Sequence, residues 1–419
     1  MRFTSILLSA CAVSATSLAP AAAADVLVVD AANGAGAQFT QISAAVAVAA
    51  DGDTLLVRAG SYGAVTVAGK ALTISADTAA TVTVNGALAV KNLIAGQTVV
   101  LRNLVVTGTS APGLAASQCA GLVWAESCTL TGNVGGSGHF SAPGAVLTDC
   151  SSVVLVRCKL NGGAAGSFPF HQGASALEGT DSSISAFECR FTGSNGLFND
   201  DLGGRGGDGA HLQGGSLYAS ASIFDGGNGG GADDDFSSSC QCVICGVPGQ
   251  GGDGIEADAG ELTLLENTLL PGLAGFSGSE KGCPDGAPGM GLQLIGSTLT
   301  ELAGASRGLR VTSPLRELQS GQIIAFGTPG EAVTLLIGFA PANLLVLSLE
   351  APLQVAAPVP LVVPIGTVDT HGKLELGLTV PTLPAGIAGA TVSVQALFSA
   401  PGDNRLSNGT ATVLLDEGF

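Results

Sequence analysis

Between residues 103 and 193 one short phrase recurs four times: Asn103-Leu-Val-Val-Thr-Gly108, Ser127-Cys-Thr-Leu-Thr-Gly132, Arg157-Cys-Lys-Leu-Asn-Gly162 and Glu188-Cys-Arg-Phe-Thr-Gly193. A polar or Cys residue, an outward residue, an apolar residue and then Gly describe a strand running into a corner, with side chains alternating between faces. The phrase returns after about 24 to 31 residues, the signature of a solenoid in which each coil buries its apolar positions against the next. Fainter copies at Ser222-Ile-Phe-Asp-Gly226 and Asn267-Thr-Leu-Leu-Pro-Gly272 extend the array. With 63 Gly, 46% hydrophobic and only 11% charged residues, the chain is neither an ordinary helical globule nor a disordered polymer, and an all-β fold is expected.

The array has a distinct opening. Asp25-Val-Leu-Val-Val-Asp30 reads as a strand, and Phe39 to Ala50 as a short amphipathic helix with Thr40 near its N-cap. Asp51-Gly-Asp-Thr-Leu-Leu-Val-Arg-Ala-Gly-Ser-Tyr62 then gives turn, strand and turn, and Gly69-Lys-Ala-Leu-Thr-Ile74 the next strand. This succession resembles the N-terminal capping segment of the pectate-lyase-like right-handed parallel β-helix superfamily. The resemblance implies a right-handed parallel β-helix with an N-terminal helix over the open end of the solenoid, where an exposed sheet edge needs covering. It implies no single reaction, because such folds host enzymes and structural proteins alike.

Residues 1–24 read as an export signal: Arg2 is positive, Ile6 to Leu18 is mostly apolar, and Ala22-Ala-Ala24 precedes the mature start at Asp25. Leu8-Ser-Ala-Cys11 offers a competing lipidation reading at Cys11. Elsewhere no stretch of about 18 apolar residues reads as a membrane span. A secreted or cell-surface location follows, and a net charge of −18 argues against nucleic acid and anionic membranes as partners.

From residue 103 to about 303 long inserts follow the corner Gly of each repeat: 132–144, 162–173, 193–209, 226–254 and 272–291. Each returns through a Gly-led phrase: Gly144-Ala-Val-Leu, Gly173-Ala-Ser-Ala-Leu, Gly209-Ala-His-Leu, Gly254-Ile-Glu-Ala and Gly291-Leu-Gln-Leu. Inserts at one point of a repeat stack on one side, so they should build one continuous surface, the expected working face. Beyond residue 306 the style changes to Leu/Val/Ile runs broken by Pro and Gly, seven short strands that argue a β-sandwich over 307–419. Gly327 to Gly338, Gln395-Ala-Leu-Phe398 and Leu406-Ser-Asn-Gly409 resemble a C-terminal module of large secreted bacterial proteins, expected to cap the last coil or mediate attachment. The β-helix itself is assigned to 25–306.

Cysteine positions follow the repeat. Cys128, Cys158 and Cys189 share one position, Cys119 and Cys150 another, and neighbouring coils ~4.8 Å apart lie within disulfide reach. A column of buried thiols acting as small apolar residues is the alternative, and Asn103 and Asn267 suggest that the position also accepts an Asn ladder. Cys240, Cys242, Cys245 and Cys283 lie in adjacent inserts and read as two loop disulfides, with a zinc site and a Cys242-x-x-Cys245 redox pair as lesser alternatives.

Two segments, Gly203 to His211 and Pro248 to Glu256, match the calcium-binding nonapeptide Gly-Gly-x-Gly-x-Asp-x-U-x with one departure each. True β-roll sites need tandem copies, so the expected alternatives are a non-tandem calcium site at Asp208, Asp253, Asp233, Asp234 and Asp235, with Asp225, Glu256 and Asp258 nearby, or a solvated acidic face. No other cofactor is expected. For catalysis the candidates are Asp200, Asp201, Asp208 and His211, which resemble the clustered acids of polygalacturonase-like hydrolases but crowd into one insert rather than spreading over successive coils. His139, His171, Lys159 and Arg190 lack supporting patterns, and the single Trp124 leaves any sugar platform to Phe. The expectation is therefore a non-catalytic extracellular β-helix with a structural or binding role toward polysaccharide or surface components, its inserts holding no convergent carboxylates. The alternative is a polysaccharide lyase or glycoside hydrolase acting on an acidic polysaccharide.

Overall fold

The structure, a computed structural model, describes residues 24–419 apart from 136–139, 167–171, 200–201, 234, 238–241, 278–282, 357–358 and 360. Its central feature is a parallel β-helix of three strand columns. The first runs through Val26–Val29, Thr54–Val57, Leu72–Ala76 and Thr98–Arg102, and on through later coils to Glu261–Leu265 and Thr298–Leu302. The second carries the repeated phrase, at Leu104–Thr107, Thr129–Thr131, Lys159–Asn161, Arg190–Thr192, Ile223–Asp225 and Thr268–Leu270. The third contains Leu177–Thr180, Ala210–Gln213, Ile255–Asp258 and Leu292–Ile295, each pairing in parallel with the next.

The phrase works through two devices. Its first residue (Asn103, Ser127, Arg157, Glu188) stands in the left-handed region, as do Ala221 and Glu266, and this makes the corner before each strand. Asn103 is therefore a corner residue and not a member of the inward column; Asn267 is one, its side chain accepting from the Ser222 amide at 2.9 Å. The closing Gly is not a positive-φ turn. A Cβ on Gly132 would lie 1.8 Å from the Ala142 carbonyl oxygen, so the position excludes a side chain because backbone crosses it.

The amino-terminal helix is Ile42–Val48, with Gln41 rather than Thr40 at its N-cap. Phe39 is held instead in a bridge to Val29. Ile42, Ala45 and Val46 face the solenoid interior, and Lys70 donates to the carbonyls of Val46, Ala47 and Ala49 at 2.8–3.2 Å, closing the helix C-terminus with a cation.

Residues 307–419 form a sandwich-like set of sheets, with one sheet of Gly308–Val311, Ser320–Phe326 and Lys373–Thr379 and a five-stranded sheet that includes Ala332–Gly338, Leu361–Thr367, Gly389–Ala400 and Asp403–Leu415. This unit packs on the flank of the β-helix instead of over its end. Val100, Leu122, Trp124, Val154, Val156, Phe187 and Tyr218 point outward from the first column into a shared core with Ala351, Leu406 and Ala411. Strands of that column are thus buried on both faces and read as continuous apolar runs. The last coil keeps Leu294 and Ile295 exposed. The joint is locked by Glu126, 0% exposed, which accepts from Arg102 at 2.7 Å, Arg157, Thr410 Oγ1 at 2.7 Å and the Ala411 amide at 3.0 Å. Trp124 is fully buried there, donating its indole N–H to Glu126, and is no sugar platform.

Candidate functional site

The inserts form an ordered layer. Gly203, Gly206 and Gly209 donate to the carbonyls of Val247, Gln250 and Asp253 in the next insert, while Gly204 and Gly207 donate to Leu197 and Ser194 in their own. The same three-residue step links Gly227 and Gly230 to Gly207 and Gly204, Gly252 and Gly249 to Gly227 and Gly230, and Gly272 and Gly275 to Gly252 and Gly249. A period of three with bonds to different neighbours makes one hydrogen-bonded backbone layer of the inserts. Close approach explains the glycine content: a Cβ on Gly207 would lie 2.0 Å from the Ala174 oxygen, and one on Gly252 2.1 Å from the Gly207 oxygen. The Cys245–Cys283 disulfide ties two inserts together. Cys240 lies outside the described residues, and the Cys242 strand, Cys242–Ile244, pairs with Asp235–Ser237.

Two nonapeptide-like segments lie side by side in this layer. Asp208 Oδ1 accepts the Asp253 amide at 2.7 Å, and Asp253 Oδ1 accepts the Met290 amide at 2.5 Å, so the two carboxylates form rungs of one ladder. Arg205 Nη2 sits among them, 3.0 Å from Asp208, 3.3 Å from Asp253 and 3.1 Å from Glu256. The acidic inserts therefore do hold convergent carboxylates, contrary to the sequence expectation.

Glu256 belongs to a column the sequence reading missed. On three successive coils the outward residue of the third strand column is Glu178, then His211, then Glu256, in direct register. His211 Nδ1 lies 3.7 Å from Asp208 Oδ2. That contact raises the imidazole above its ordinary range, with Glu256 and Glu178 adding to the effect against burial. Burial raises the Glu178 carboxyl, and the Asp208 charge pushes the same way. Asp253 is also raised, chiefly by burial. Burial alone would lower Arg205, but Asp208, Glu256 and Asp253 outweigh it and hold the guanidinium more firmly protonated. A cleft of about 250 Å³ opens here, lined by Phe140, Gln172, Glu178, Arg205, Asp208 and His211 among others.

The signal for the column lay in the return phrases. His211, Glu256 and Gln293 each stand second after the leading Gly, as does Val146; Glu178 escapes because the register equates Gly144 with Ala176, not with Gly173. Of the catalytic candidates, Asp208 and His211 are brought together, while Asp200 and Asp201 lie outside the described residues, as do His139 and His171. Arg190 pairs with Asp225 at 2.9 Å, away from a lyase-like role, and Lys159 is an exposed outward strand residue.

For calcium, Asp208 and Asp253 are adjacent, Asp233 is exposed, Asp234 lies outside the described residues and Asp235 begins a strand. Ligand atoms of Asp208, His211 and Glu256 fall within 4.8 Å of one another. A guanidinium already among the carboxylates and an imidazole donor do not fit an ion that prefers an all-oxygen shell. The Cys119, Cys128, Cys150, Cys158 and Cys189 side chains stand as buried thiols.

The fold and site define a parallel β-helix with a lateral β-sandwich and a glycine-rich, acid-lined face. No protein-family model matches the chain, and no curated protein does. Among solved structures it is similar to the enzymatically active domain of tailspike protein 4 of bacteriophage CBA120, at 12% identity and a TM-score of 0.22, over 87% of this chain. The match spans 64% of that structure's own length, and likeness at this level carries no weight beside the strand register itself.

Proposed function

We propose that the protein is an exported carbohydrate-active β-helix whose site is the corner between the glycine layer and the Glu178–His211–Glu256 column. The observation that carries the reading is this column of titratable residues on successive coils, beside a cleft, with Glu178 raised first by burial and His211 raised first by its contact with Asp208. The chemistry it suits is hydrolysis of a glycosidic bond. Glu178, whose carboxyl burial shifts toward the protonated form against the opposing charge of His211, serves as proton donor to the leaving oxygen. Glu256 stands two coils further on, about 9.5 Å at the usual strand spacing, which leaves room for a water molecule as an inverting mechanism requires. His211, steadied by Asp208, lies between them and hydrogen-bonds the substrate. A polysaccharide running across the coils would meet all three.

A second reading, binding without turnover, is favoured by Arg205, whose guanidinium engages Asp208, Asp253 and Glu256 together and so occupies the carboxylate that would activate water. Magnetic resonance of the His211 ring during titration with acidic and neutral oligosaccharides tests both. Shifts with product formation support the hydrolase, shifts without products support the binding reading, and no shift with any glycan removes the corner as the site.

A further inference from the structure

We infer that Cys119 and Cys150, which stand as facing thiols in the structure, are joined on oxidation into a disulfide that staples two adjacent coils of the β-helix in the exported protein. The two residues are direct register partners in the parallel pairing of Leu114–Glu126 with Ala145–Val156, so their Cα atoms stand one coil apart, about 4.8 Å, inside the span a disulfide tolerates. Both side chains point into the core and are 0% exposed. The column contains no third thiol next to them: on the following coil Ser182 takes the position, its hydroxyl accepting the Cys150 amide at 3.1 Å.

The neighbouring column differs. Cys128, Cys158 and Cys189 are three in a row, so any bridge there leaves one thiol over; each donates to a carbonyl of the preceding coil, Leu101, Ala125 and Leu155, as Cys119 does to Val90, so the odd number is what separates the two columns. Cys128 and Cys158 are held well above the ordinary thiol range, Cys128 first by its contact with Cys158 and Cys158 first by burial. The Cys119–Cys150 contact lowers one thiol of the pair and raises the other, so the two sulfurs face each other as direct partners rather than as members of a longer row. Oxidation proceeds by thiol–disulfide exchange: the S–S bond between Cys119 and Cys150 forms as that of a small or protein disulfide breaks, and the two electrons and two protons leave on its two thiols. Burial in the finished coil places the reaction during folding, before the next coil closes over it. The inference rests on the exported location proposed above, because a reducing cytosol would keep the pair as thiols.

The test is peptide mapping of the full chain, secreted to an oxidising compartment behind an established secretion signal, so that failure of the native signal and failure of the bridge are separate results. Free thiols are blocked in denaturant without reductant before digestion. The expected result is a peptide pair containing Cys119 and Cys150, two hydrogens lighter than the separate peptides and lost on reduction, with Cys128, Cys158 and Cys189 blocked as thiols. Recovery of both Cys119 and Cys150 as blocked thiols, or of either joined to a different cysteine, would overturn the inference.

Discussion

Asp208 accepts the backbone amide of Asp253, at 2.7 Å from Oδ1, from a residue 45 positions later in the chain. The contact joins one glycine-rich insert to the next and places both carboxylates on Arg205. A side chain that would otherwise repel its neighbour becomes the acceptor that fixes it.

Replacing Asp208 with Ala leaves the buried Asp253 amide without an acceptor and Arg205 without one of its partners. Stability should fall by about 2 kcal/mol, read from the urea midpoint at constant slope, because an unsatisfied buried donor costs about 1–3 kcal/mol. D208N keeps an acceptor oxygen and should lose less.

Close approach of backbones, not turn conformation, accounts for the glycines of the insert layer. G207A and G252A push a Cβ to within about 2 Å of a carbonyl oxygen and should each lower stability by about 1–3 kcal/mol or more. Gly377, within Lys373–Thr379, has no atom within 4 Å of its added Cβ, and G377A should leave the thermal midpoint nearly unchanged. Equal effects at the three positions would contradict the packed layer.

Much of this architecture is legible in the sequence. The repeat gives the coil, and the position of the inserts gives the continuous layer they build on one side. Seven apolar runs mark strands of the carboxy-terminal unit, while Gly308–Val311, Leu315–Arg316 and Ala351–Val355 escape the pattern and the run 343–349 ends in a 3-10 turn. What escapes is long-range. Glycine spacing of three is visible in Gly203-Gly-Arg-Gly-Gly-Asp208, but its meaning depends on Val247 and Gln250 arriving alongside. Glu178 is hidden by an alignment shift of three residues. The apolar outer face of the first column reads as core, yet it is the seat of the sandwich, and its buried polar members, Glu126 with Arg102, Thr73, Ser75, Ser185 and Ser220, are the hint that another surface must arrive to satisfy them.

That carboxylate makes the joint a single cooperative unit. Glu126 is held below the usual carboxylate range: burial opposes ionisation, but the charges of Arg102 and Arg157 outweigh it. E126A would strand both arginines and should cost about 3–5 kcal/mol, the penalty of breaking a buried ion pair. Calorimetry should then show the sandwich melting ahead of the β-helix, where the unaltered chain melts once.

The share of the pH dependence of stability that comes from the corner has a definite sign. His211 and Glu178 both carry folded-state values raised above their unfolded ones. Their contributions are therefore complete below the unfolded values and are lost as pH rises through the folded values, first for Glu178 from the ordinary carboxylate range upward, then for His211 from the ordinary imidazole range upward. Urea unfolding at a series of pH values should show H211Q removing the upper part of this slope and E178Q the lower.

The central claim, that the corner cleaves a glycan with Glu178 as proton donor, is tested most directly by release of reducing ends from a panel of acidic and neutral polysaccharides. The account predicts release by the unaltered chain, a rate that falls as pH rises through the Glu178 value, and a loss of about 100-fold or more in E178Q with the fold intact. Release unaffected by E178Q, or no release from any member of the panel, would contradict it.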